Sequence, residues 1–215
     1  MPNSSCFSDT EKVMNMKKTR TIGKMKTSLA IIGISALAFF LTACSSMGRG
    51  SNTFRDPNMD FGAVKTIAIL PLTNLTREPL ASERIRDVLS NNLFATGSVY
   101  VVPPGEVARG IARAGLANPS SPSIEEIKRL AGILAVDAVI TGVVKEYGDV
   151  RSGSISANVI SLSLQMIEAQ TGKEVWSAST TKGGVTGWDR LLGGGGDPMN
   201  NVTEKAINDL IEKLF

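Results

Sequence analysis

From Ser154 to Lys182 the chain reads SISANVISLSLQMIEAQTGKEVWSASTTK. Ile160, Leu162, Leu164 and Met166 alternate with Ser161, Ser163 and Gln165, which places apolar side chains on one face of a strand and polar ones on the other. Gln170-Thr171-Gly172-Lys173 is turn chemistry, and EVWSASTTK behind it predicts the returning strand of a hairpin. AVITGVVKEY, Ala138 to Tyr147, precedes the pair as a third strand, so a meander closes this half of the chain.

Upstream the period changes. In SERIRDVLSNNLFATG, Ile85, Val88, Leu89 and Leu93 recur at helical spacing from Ser82, and Gly97 marks the stop. PGEVARGIARAG sets Val107, Ile111 and Ala114 on one face, and Gly115 ends that helix. SIEEIKRLAGILAVDA opens at Ser123 with Glu126 three residues on, a capping box, and carries Ile124, Ile127, Leu130 and Leu134 as its buried stripe. KTIAILPL (Lys65 to Leu72) and SVYVV before Pro103-Pro104 read as strands, and Met199, Val202, Ala206, Leu210 and Leu214 mark a closing helix. The order βαβααβββα predicts a single α/β domain, a sandwich of a mixed sheet and packed helices.

The N-terminal part belongs to a different class of sequence. SLAIIGISALAFFL, Ser28 to Leu41, holds fourteen residues without a charge behind the basic stretch KKTRTIGKMK. A spanning helix needs about 20 apolar residues, so this run fits a secretory signal instead. Leu41-Thr42-Ala43-Cys44 resembles the bacterial lipobox, which implies that Cys44 is lipidated and becomes the first residue of the mature chain. Within that class Ser45 implies sorting to the outer membrane. Residues 1 to 15 fit no part of a signal, so translation is expected to start at Met16 or Met25. The expected organisation is a lipoprotein signal peptide over 1–43, a lipidated flexible tether over 44–62 rich in Ser, Gly and Asn, and a periplasmic α/β domain over 63–215.

Charge and composition narrow the chemistry. Residues 1–43 hold six Lys or Arg against two acidic residues, whereas 17 basic residues face 18 acidic ones from Cys44 onward, so no basic surplus points to nucleic acid. Histidine is absent, which excludes Ser-His-Asp and Cys-His nucleophilic sites and His-ligated zinc. Glu125 and Glu126 are adjacent in a first helical turn and point about 100° apart, so they cannot flank one bond as acid and base. No catalytic residue, cofactor or metal is expected.

The loop GGVTGWDRLLGGGGDPMNN, Gly183 to Asn201, is the remaining candidate. Its four consecutive glycines lack the Lys-Ser/Thr that a phosphate loop demands, and Asp197 is expected to cap the following helix. Trp188, Leu191 and Leu192 are large apolar residues among glycines, with Asp189 and Arg190 between them. They form a candidate partner or membrane contact, the alternative being a lid folded back over the core.

The AILPL-like strand at Ile67 to Leu72, Asp137 before Val139, and the TGKEVW hairpin at Thr171 to Trp176 resemble, in that order, a superfamily of bacterial envelope lipoproteins. It includes the curli secretion component CsgG, the exopolysaccharide lipoprotein PelC, the penicillin-binding-protein activator LpoB and the N-terminal domain of TolB. Taken residue by residue, Asp137 reads as a cap or turn former, Thr171-Gly172 as turn chemistry and Trp176 as packing. The resemblance implies a non-catalytic outer-membrane lipoprotein that works through envelope protein partners in assembly or secretion, and it implies homo-oligomers. Its first alternative is an activator of a peptidoglycan synthase, and a hydrolase is the alternative from another class. Pore formation of the CsgG kind needs long membrane-crossing hairpins, for which the segment Gly148 to Ser154, read as a loop, is too short.

Overall fold

Along the chain the elements are β1 (Thr53–Arg55), a 3-10 turn at Phe61–Ala63, β2 (Thr66–Ile69), β3 (Thr73–Asn74), α1 (Ala81–Ala95), β4 (Tyr100–Val101), α2 (Pro104–Ala114), α3 (Ile124–Leu134), β5 (Ala138–Ser152), β6 (Ile155–Glu168), β7 (Glu174–Gly183) and α4 (Met199–Glu212). These come from a computed structural model that describes residues 52–152, 155–184 and 196–215, all within the unit Ser51–Phe215. The strands form one mixed sheet in the order β1-β7-β6-β5-β2-β4, with β3 beside β5. β5, β6 and β7 are the predicted antiparallel meander, β2 is parallel to both β5 and β4, and β1 is antiparallel to β7. The α/β class with a mixed sheet is as expected.

Helices cover the two faces unequally. Ile85, Leu89 and Leu93 of α1 and Val202, Ala206, Ile207 and Leu210 of α4 bury one face together with Ile67, Ile140, Leu162, Leu164, Met166 and Trp176. On the other face Val107 and Ala114 of α2 and Ile127 and Leu130 of α3 pack on Ala68, Leu70, Val102 and Val139. Each fully buried Leu or Ile contributes about 1.5–3 kcal/mol, so the side-chain alternation in β6 is reason enough for its register. The second helix layer takes in Val139 of β5 and Ile167 at the end of β6. Beyond it, the same face of β6, β7 and β1 presents Ser163, Gln165, Ser177 and Phe54.

Local chemistry accounts for the element ends. The capping box forms as read: Glu126 N–H donates to Ser123 Oγ at 3.3 Å, and Ser123 N–H to the Glu126 carboxylate at 2.8 Å. Those backbone donors from Ser123 and Ala117 hold the Glu126 carboxyl below the ordinary range. Asp137 is a tie as well as a boundary, since its carboxylate accepts from Lys65 N–H at 2.8 Å and Thr66 N–H at 2.9 Å and so fixes the start of β2 against β5. At the hairpin turn Gly172 has φ of 72°, left-handed backbone that a side chain resists, and a Cβ there would also strike Ile124.

Four expectations need correction. Residues 52–62 are expected in the tether, yet Thr53–Arg55 pairs with β7 and Asp60 caps the 3-10 turn, so the ordered domain starts about ten residues earlier. Three residues with one apolar side chain carry no period, and it is the long-range pairing with β7 that makes them a strand. Residues 148–152, expected in a loop, extend β5, and with the first residues of β6 they form a hairpin arm past the end of β7, with a register shift between Val144 and Glu146. Ile124 is exposed at the first turn of α3 instead of joining its buried stripe. Asp197 does not cap α4: Pro198 is the N-cap and makes no side-chain bond, while the Asp197 carboxylate pairs with Lys205.

Candidate functional site

Of the residues singled out by sequence, Cys44 and the group Trp188, Asp189, Arg190, Leu191 and Leu192 lie outside the described residues. The base of the Gly183 to Asn201 segment is described, and it is built from backbone. Asp197 N–H donates to Gly184 O at 2.6 Å, Gly184 N–H to Asn158 O at 2.7 Å, and the Asn158 amide to Asp197 O at 2.8 Å. Gly184 is tight here, because a Cβ would lie 2.9 Å from Asp197 O and 3.0 Å from Val202 Cγ2.

Several charged side chains of the described residues are committed to structure. Asp209 of α4 accepts from Lys182 of β7 and from Lys213, each at 2.6 Å, which staples the last helix to the sheet. Burial opposes ionisation of Asp209, but hydrogen bonds from Lys182, Lys213 and Thr180 outweigh it and lower the carboxyl to about 2. A folded-state value depressed below the ordinary 3.8 contributes stability that is present above that pH and lost as pH falls toward 2. Asp209→Asn is therefore expected to lower the unfolding free energy at neutral pH by roughly 1–2 kcal/mol. The difference should vanish near pH 2, as followed by denaturant midpoints across a pH series. Among the described residues no three His, Cys, Asp or Glu side chains converge as metal ligands.

What the surface offers is contact. A groove of about 440 Å³ lies on the uncovered half of the sheet, lined by Asn52, Thr53, Phe54, Ser163, Gln165, Ser177 and Ser179. A second, of about 380 Å³, lies where β4 meets α2 and α3, lined among others by Tyr100, Pro103, Arg109, Gly110, Arg113 and Ile133. Phe54 and Tyr100 are 49% and 54% exposed on the two outermost strands. Neither carries a local sequence signal, since Phe54 lies in the expected tether and Tyr100 inside an apolar strand. Only the order of strands in the sheet reveals that they share an edge position.

The fold defines a class: a small α/β domain with a mixed sheet and helices on both faces. The chain belongs to the GNA1162-like lipoprotein family, whose model matches residues 60–193. It is similar in fold to PelC from Paraburkholderia phytofirmans, solved as a dodecamer, at 18% identity and a TM-score of 0.52 over 76% of this chain and 96% of that one. Lipoprotein GNA1162 from Neisseria meningitidis aligns at 18% identity and a TM-score of 0.50, covering 70% of this chain and 97% of that one. The LpoB C-terminal domain from Salmonella enterica gives 19% identity and a TM-score of 0.44, covering 59% and 86%. No curated protein sequence matches the chain.

Proposed function

We propose that the mature protein begins at Cys44, is held by that lipidated cysteine at the periplasmic face of the outer membrane, and acts without catalysis as a self-assembling contact protein of an envelope assembly or secretion system. The observation that carries this reading is a lipoprotein-family domain placed directly behind an export signal ending in Leu-Thr-Ala-Cys. Self-assembly draws support from the dodecameric state of PelC, a protein of the same fold. With β1 included in the domain, the expected tether shortens to residues 44–51, which lie outside the described residues. Several acyl chains on one cysteine anchor a protein far more firmly than one chain can. In this reading Trp188, Leu191 and Leu192, with Asp189 and Arg190, meet the protein partner.

Cys44→Ser tests the anchor. The expected result is loss of acyl labelling and movement of the protein from the membrane to the soluble fraction. Unchanged fractionation overturns the reading. Trp188→Ser with Leu191→Ser is expected to leave the circular dichroism spectrum and the urea midpoint unchanged while removing partner cross-links in cells; loss of folding would assign these residues to the core.

A further inference from the structure

The hairpin arm of β5 and β6 has two unlike sides. On the β6 side Asn158 O still accepts from Gly184 N–H at 2.7 Å. On the β5 side the last neighbour is β3, and its pairing stops where Leu75 N–H donates to Val144 O at 2.9 Å. The chain then turns away from β5, because Asn74 Oδ1 accepts from Thr76 N–H at 3.0 Å and the Asn74 amide donates to Glu78 O at 2.9 Å. Among the described strands only β6 pairs with β5 from Glu146 to Ser152.

The alternation of the ladder decides which backbone groups face outward. Asn158 O points toward β7, so even-numbered residues of β6 bond β7 and odd-numbered ones bond β5. Ser161, Val159 and Ala157 are level with Glu146, Gly148 and Val150. Tyr147, Asp149 and Arg151 therefore direct their N–H and C=O groups away from β6, along an edge that a further strand could join. Beside it lies a groove of about 520 Å³, lined among others by Leu75, Arg77, Glu78, Tyr147 and Val150. Leu75 and Val150 are 66% and 49% exposed.

This edge is complementary to itself. Laid antiparallel against the same edge of a second copy, with Val150 level with its own counterpart, it sets Asp149 opposite the second copy's Arg151 and Arg151 opposite the second copy's Asp149. These are the residues whose backbone groups face outward, so each pair exchanges two hydrogen bonds and brings opposite charges together on one face. The two Val150 side chains meet on the other face at the closely spaced position of the ladder. Centring the contact on Asp149 would set that carboxylate against itself, and centring it on Gly148 would set Arg151 against Lys145. Charge on an edge strand ordinarily deters pairing, and here it deters the neighbouring registers while favouring this one.

Within one copy Asp149 accepts from Ser156 Oγ and lies 3.9 Å from Arg151 Nε, the two charged side chains being 50% and 81% exposed. An ion pair so exposed contributes little, so exchanging it for pairs across the contact costs little. Past Arg151 the second copy's strand runs on toward the level of Tyr147, which brings the end of each arm over the groove of the other.

We infer that two copies of this chain join through the β5 edges of their arms, making a four-stranded antiparallel layer β6-β5-β5-β6 centred on Val150. The inference rests on the proposed self-assembly and assigns one of its contacts. One surface is used twice, so the contact closes at two copies, and a larger assembly needs a further interface.

The test exchanges charges in the lipidated chain, held in detergent and read by native mass spectrometry. Asp149→Arg and Arg151→Asp each set like charges opposite one another at both pairs, so each alone is expected to halve the copy number of the parent complex. An equimolar mixture of the two, and a chain carrying both substitutions, oppose unlike charges again and are expected to restore it. Val150→Cys is expected to give a disulfide-linked dimer on mild oxidation, since the two residues at the centre of the contact stand at a spacing that a disulfide spans. Lys173→Cys, at the exposed turn between β6 and β7, measures chance collision. Single charge variants that keep the parent's copy number overturn the contact and leave self-assembly standing. Losses that neither the mixture nor the double variant restores overturn this register, as do equal disulfide yields from Val150→Cys and Lys173→Cys. A monomeric parent overturns self-assembly and the contact with it. Circular dichroism verifies folding, and the cysteine variants decide the matter where a charge variant does not fold.

Discussion

Trp176→Ala is expected to lower the unfolding free energy by about 4–5 kcal/mol, the largest effect of any side-chain truncation in the domain. Trp176 is 1% exposed, in the core between the sheet and the α1–α4 layer. Its indole also has a second task. The last turn of a helix leaves carbonyls without intrahelical donors. Here the Trp176 Nε1–H donates to Lys213 O at 3.0 Å, and Arg55 Nη1 reaches Leu214 O at 2.7 Å. Alanine removes the largest buried side chain and leaves the Lys213 carbonyl without its donor in a half-buried place. Trp176→Phe keeps most of the apolar volume and loses the donor, so its expected cost is smaller, about 1–2 kcal/mol. Urea unfolding followed by far-ultraviolet circular dichroism reads both. Equal midpoints for Trp176→Phe and the parent would show that the bond to Lys213 contributes nothing, and a cost below 2 kcal/mol for Trp176→Ala would contradict the packing argument.

The same residues show where sequence reading succeeds. Trp176, Leu164 and Met166 were legible because a strand with one buried face writes its period into adjacent positions, and because Thr171-Gly172 marks the turn. The ends of α1 and α2 were legible because Gly97 and Gly115 adopt the left-handed backbone that favours glycine, at φ of 66° and 64°. Interactions between distant positions were not legible. β1 exists by virtue of β7, over 120 residues away, and Asp197 chooses Lys205 over the helix start. Phe54 and Tyr100 owe their place on the two outermost strands to strand order, which no local pattern encodes. The anchor at Cys44 and the Trp188 group were argued from sequence and stand as proposals.

Gly142→Ala is expected to destabilise the domain by about 3 kcal/mol, although it adds one methyl group to a strand where alanine is otherwise acceptable. Gly142 sits in β5 opposite Leu164, at the centre of the sheet and just before the register shift at Val144. A Cβ on this residue would collide with the Ser163 carbonyl oxygen and come within 2.8 Å of Leu164 Cδ2 and 3.1 Å of Leu164 Cα. Two of those atoms are backbone of the neighbouring strand, so relief requires β5 and β6 to separate where both are pinned by flanking pairs. Gly110→Ala in α2 is the control. There the nearest atoms, at 2.6 and 2.9 Å, belong to the end of the Leu134 side chain, which is only partly buried and can rotate aside. Relieving the helical glycine returns about 1 kcal/mol, so the net change at position 110 should be near zero. Denaturant midpoints measured side by side decide the matter, since backbone crowding predicts a large gap between the two variants and similar midpoints would mean that β6 yields as readily as a leucine side chain.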